Sequence, residues 1–170
     1  MVHPNKFAAS TYTIPKMIVI DTTPLTVLLV GLMQPELIAK TKRTSIYEKE
    51  DFDLLLANIS SLTDLIVLPN VWTEVDNLLN GFNNSLKWPY ITSIRSLIAK
   101  TTETYLESNI GATTDYFIGV GLTDSLILEI AKRTGKVVTA DTRLADLARA
   151  HNIQVYDMVE VRNARLKGKR

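Results

Sequence analysis

The sequence predicts a three-layer α/β/α fold built around a mostly parallel central sheet. Short apolar runs rich in β-branched residues recur along it: "MIVI" (17–20), "LIVL" (65–68), "KVVTA" (136–140) and "IQVYDM" (153–158). Segments with apolar residues at helical spacing lie between them. Strands that alternate with helices make parallel sheets covered on both faces, with right-handed crossovers.

Each element has a local reason. After "MIVI", Thr23 and Pro24 give a hydroxyl N-cap and a proline at the first helical position. Gly31 and Pro35 are expected to end that helix. "KTKRTS" (40–45) is a basic loop, and "IYEKEDFDLLLANIS" (46–60) a helix with acids early and leucines late. "LIVL" stops at Pro69, and residues 70–80 carry Val71, Val75, Leu78 and Leu79 on one helical face. "GFNNS" (81–85) is a turn. Beyond Pro89, a stripe from Ile91 through Tyr105 and Leu106 predicts one long helix. Residues 109–121 are irregular. A helix is expected over 122–135, capped by Thr123 and stopped by Gly135. Residues 136–140 are a strand, 142–152 a helix and 153–158 a strand.

Residues 17–158 are expected to form one domain. Residues 1–16 are read as a flexible N-terminal arm and 159–170 as a basic C-terminal tail. The net charge of +1 gives no strong field to attract nucleic acid. The absence of cysteine removes disulfides, thiolate zinc sites and cysteine nucleophiles. The longest apolar run, residues 24–33, is too short for a bilayer, which needs about 20 residues. No membrane partner and a cytoplasmic location are therefore expected. His3 and His151 are the only histidines, with no motif for zinc or a triad around them. "GVGLTD" (119–124) lacks the full glycine pattern of a dinucleotide site. "DTT" (21–23) lacks the second aspartate of a phosphatase-like nucleophile.

Ligands of an open parallel sheet bind beyond the carboxyl ends of its strands. Asp21 follows "MIVI" directly and Asp141 follows "KVVTA" directly, so both belong on that edge. Glu74 lies one turn into the helix after "LIVLP". Asp124 opens the helix that precedes strand 136–140. Singly, Asp141 reads as an N-cap, Asp124 as a first-turn acid favoured by the helix dipole, and Glu74 as a solvated-face residue. Asp76, Asp115 and Asp146 fit surface or turn roles.

Four blocks together resemble the PIN-domain family of metal-dependent nucleases, which includes toxins of toxin–antitoxin pairs. They are "IVIDTTPL", "LPNVWTEVDNLL", "LTDSLILEIAKRTGKVVTADTRLADLA" and "IQVYDM", and they span residues 17 to 158. The resemblance implies that Asp21, Glu74, Asp124 and Asp141 are the acidic site positions. It implies that Thr139 orders the site and places Thr23 where the family often has Asn or Ser. "TDS" stands where an alanine-flanked acid is common, and segment 34–62 is longer than in compact toxins.

Converging carboxylates need a cation. Two unit charges about 4 Å apart repel by roughly 4 kcal/mol at an effective dielectric near 20. Oxygen ligands without His or Cys suit Mg²⁺ or Mn²⁺. Such an ion activates water and neutralises charge developing on a phosphodiester. Asp21, Asp124 and Asp141 are the expected main ligands, and Glu74 a ligand or water-positioner. The expected function is a metal-dependent endoribonuclease; the alternative is an inactive PIN-like binding module for RNA or protein.

Lys40, Lys42 and Arg43 form one basic cluster; Arg162, Arg165, Lys167, Lys169 and Arg170 form another. Both are candidate RNA contacts, the second otherwise a solubilising tail. Trp72, Trp88 and Tyr90 are core or interface aromatics, with base stacking as the alternative. Helices 70–80 and 91–106 offer surface for a homodimer. An antitoxin would lay a helix or basic side chain into the acidic cleft.

Overall fold

The computed structural model describes residues 17–168. The expected arm (1–16) and the last two tail residues, Lys169 and Arg170, lie outside the described residues. Five strands form one all-parallel sheet: β1 (Ile18–Ile20), β2 (Leu65–Val67), β3 (Thr102–Glu103), β4 (Lys136–Thr139) and β5 (Gln154–Asp157). Their spatial order is β3-β2-β1-β4-β5. The chain builds outward from β1 on one side, then returns to build outward on the other. The seam between β1 and β4 is therefore the switch point, where an α/β sheet offers its crevice. Every residue of β1, β2 and β4 is buried, as expected of strands covered on both faces.

Helix α1 (Thr22–Met33) starts at that seam, and nine of its twelve residues are buried. A helix apolar around its whole circumference belongs inside a core. Its cap differs from the expected one. Asp21, not Thr23, is the N-cap, because its carboxylate accepts from the Thr22 amide. Gly31 lies inside the helix rather than ending it. A Cβ there would stand 2.3 Å from the Phe52 ring, so glycine permits the close packing of α2 (Lys49–Ile59) on α1.

Helix α3 (Pro69–Leu79) begins with proline at its first position, where no amide partner is lost. Helix α4 spans Asn84–Lys100, starting before Pro89 and ending short of Tyr105 and Leu106. The expected long stripe is thus interrupted. Thr102 and Glu103 add a fifth strand, exposed and polar, at the sheet edge.

The irregular stretch also resolves into structure. Helix α5 (Ser108–Ala112) precedes α6 (Phe117–Thr134), which kinks at Gly121 with φ +80°. That left-handed, extended geometry suits glycine alone. Gly135 closes α6 in the αL conformation, as expected. Helix α7 (Thr142–Ala150) carries an Asp141 cap that accepts from the amides of Arg143 and Leu144.

The basic tail is a helix, α8 (Met158–Gly168), docked on α2. Arg165 donates to both carboxylate oxygens of Asp51 at 2.9 Å and to Glu48 at 2.8 Å. Arg162 donates to the Ile46 carbonyl. No helix among the described residues is long and apolar enough to cross a membrane.

Candidate functional site

The site is assembled by threonines. Asp21 ends β1, held by its own amide donating to the Val138 carbonyl of β4. Thr139, buried at the end of β4, donates its hydroxyl to Asp21 Oδ2 at 2.8 Å. The same hydroxyl accepts from the Asp141 amide at 2.9 Å. One side chain therefore fixes the Asp21 carboxylate and the turn that presents Asp141.

Glu74 ties in the remaining elements. Its Oε2 accepts from the Thr22 hydroxyl at 2.7 Å and its Oε1 from the Thr123 hydroxyl at 2.8 Å. Thr123 in turn accepts from the Asn70 amide at 3.0 Å. The start of α1, the middle of α3 and the stretch of α6 just past its kink are thus tied together. The kink at Gly121 restarts α6 just before Thr123 and Asp124. Asp124 follows this kink within α6, close enough to Asp21, Asp141 and Glu74 for their charges to act on it.

The electrostatics record the convergence. Burial pushes the Asp124 carboxyl up to about 7, and the charges of Asp21, Asp141 and Glu74 add to the shift. No hydrogen bond from a described residue offsets it. Burial also raises the Asp21 carboxyl; the bonds from Thr139 and Thr22 oppose the rise, and Asp141 and Glu74 add to it. None of these four acids has an ion-pair partner among the described residues.

Four acids from four separate segments sense one another at the switch point of the sheet. No family model, curated protein or solved structure matches the chain. The site must stand on its own geometry. Among the described residues, no three His, Cys, Asp or Glu side chains stand together in an arrangement ready to hold a metal. Both oxygens of Asp21 and of Glu74 already accept hydrogen bonds. The donor chemistry nevertheless fits a hard cation: every donor is a carboxylate oxygen, and the negative charge is uncompensated.

Several expected site residues are placed elsewhere. The Thr23 hydroxyl makes no hydrogen bond with a described residue; its neighbour Thr22 holds Glu74 instead. Arg165 is committed to Asp51 and Glu48, and Arg162 to the Ile46 carbonyl, so both act in docking α8. Lys167 is exposed on α8. Lys40, Lys42 and Arg43 are exposed and line a cavity of about 440 Å³ that contains none of the four acids. Trp72 and Tyr90 are buried in the core, while Trp88 is exposed.

Sequence reasoning missed Thr22 and Asn70, and gave Thr123 only a capping role. Polar side chains next to an acid (Thr22, Thr123) or one turn before it (Asn70) were the available signal. Asp157, at the end of β5, was also passed over. It caps α8 and faces Arg149 at 3.5 Å, so its charge is matched and it stands apart from the cluster.

Proposed function

We propose that the protein is a metal-dependent endoribonuclease of PIN type that hydrolyses RNA phosphodiester bonds in the cytoplasm. The observation that supports this reading is the raised Asp124 carboxyl, set by burial and by Asp21, Asp141 and Glu74 together. Structural acids are normally given a counter-charge. A group left without one at a switch-point crevice is a site candidate.

Asp21, Asp124 and Asp141 would hold a Mg²⁺ or Mn²⁺ ion, with Glu74 as a further ligand or as a holder of water. Bound there, the ion supplies an activated water and neutralises charge on the phosphodiester oxygens. The chain's own residues do the positioning. Thr139 locks the Asp21 carboxylate, and its bond to the Asp141 amide sets the distance between those two acids. Thr22 and Thr123 hold Glu74 by its two oxygens. Asp124, whose carboxyl burial pushes up to about 7, would join the ligand set in its deprotonated form. A toxin with an antitoxin partner and an RNA-processing enzyme would both use this same chemistry.

A second reading, a binding module without catalysis, is favoured by the engagement of both Asp21 and both Glu74 oxygens. The two readings separate on purified protein with labelled single-stranded RNA and Mn²⁺ or Mg²⁺. Cleavage that EDTA stops, and that Asp21→Asn lowers by at least about a hundredfold, supports the enzyme. Equal cutting by Asp21→Asn defeats it.

A further inference from the structure

Beside the acid cluster lies a cavity of about 160 Å³. Leu68, Leu122 and Leu126 line it with apolar surface, and Asn70, Tyr105 and Ser108 contribute its polar groups. It adjoins the site directly. Asn70 donates to Thr123, which holds Glu74, and Leu122 immediately precedes that threonine. One N–H of the Asn70 amide makes this bond, while its carbonyl oxygen accepts nothing from the described residues. Tyr105 is 72% exposed, lying in the loop between β3 and α5. Tyr105 lines the cavity with its ring largely open to solvent, so a flat group can stack on it.

We propose that this cavity is a nucleobase subsite, which seats one unstacked base of a single-stranded RNA whose backbone passes the acid cluster. This rests on the ribonuclease reading and adds to it a determinant of where the strand is cut. Tyr105 supplies the stacking face, and the three leucines supply the apolar wall. The Asn70 carbonyl accepts from an N–H on the base edge, and the Ser108 hydroxyl serves as a second edge contact. Tyr105 is a positioning residue: it grips the base and takes no part in bond breaking. The shared Asn70–Thr123 bond fixes the base pocket against the cluster, so that base identity and cleavage position are read together.

The test compares wild type with Tyr105→Ala and Tyr105→Phe. Binding of a short fluorescent single-stranded RNA is followed by anisotropy in EDTA, and cleavage kinetics are measured in Mn²⁺. The exposed position lets both variants fold, which circular dichroism checks. Tyr105→Ala is expected to weaken binding and raise KM by roughly fivefold to a hundredfold, the loss of one base stack, with kcat largely kept. Tyr105→Phe retains wild-type values. An RNA lacking one base at the seated position reproduces the Ala effect on wild type and adds nothing to it on Tyr105→Ala.

If wild type cuts RNA and Tyr105→Ala matches it in affinity and KM, the subsite is refuted while the ribonuclease reading stands. If wild type neither binds nor cuts RNA, both fall. If Tyr105→Ala instead changes the oligomeric mass by light scattering with RNA affinity intact, the cavity seats a protein side chain and the base subsite is overturned.

Discussion

Asp51 and Asp21 are both buried, at 3% and 7% exposure, yet their surroundings are opposite. Asp51 faces a two-pronged guanidinium from Arg165 and sits in a capping box with Glu48. Asp21 faces a hydroxyl, an amide and other acids. Burial alone therefore does not mark a site. What distinguishes Asp21 is the absence of a counter-charge, because a carboxylate out of water is tolerable only when paired or protonated.

The comparison breaks most severely at the paired end. Arg165→Met should destabilise the fold by about 3–5 kcal/mol, since it strands a buried carboxylate. Urea unfolding at pH 7 measures it, and a loss under about 1 kcal/mol would mean that Asp51 needs no partner. The unpaired end should respond to a cation instead. Saturating Mn²⁺ at about a hundred times its dissociation constant should add roughly 2.7 kcal/mol. The melting shift should be reversed by EDTA, shrink in Asp141→Asn and persist in Lys49→Met, whose ion pair with Asp53 lies on exposed α2 surface. A shift of equal size in Asp141→Asn would place the ion elsewhere.

Thr139→Val should cost about 1–3 kcal/mol, because it removes the donor to Asp21 and the acceptor for the Asp141 amide. It should also reduce the Mn²⁺ shift, which an effect on packing alone would leave intact. The smallest effect has the opposite sign. The Asp124 carboxyl titrates near 3.8 unfolded and near 7 folded. Its folded state holds the proton more tightly, so stability falls as pH rises between those values. Asp124→Asn removes that cost. In EDTA it should melt higher than wild type at pH 8, by no more than about 1 kcal/mol after solvent screening, and equal to it near pH 4. A variant less stable at pH 8 would contradict the crowding of charge.

The seam was legible because "MIVID" and "KVVTAD" each end a buried strand on an acid, and strand ends determine where side chains gather. Glu74 was legible from its spacing after "LIVLP". The hydroxyl clamp was not, because Thr22 and Thr23 are adjacent and identical, and only the helix phase decides which one faces Glu74. Strand β3 escaped notice because two exposed polar residues carry no hydrophobic alternation. Helix α8 read as a tail because its apolar residues form no stripe; it is held by Arg165, and a contact between residues 114 positions apart has no local signature. Likewise Gly121 kinks α6 through a backbone angle that composition does not encode.

The bond from Thr139 to Asp21 spans 118 positions of chain. During synthesis, Asp21 and Glu74 emerge from the ribosome long before Asp124 and Asp141 exist. An incomplete polypeptide carries half the acids and lacks the strand that completes the seam. Whatever the finished pocket does, a chain that stops short of Thr139 and Asp141 cannot do it.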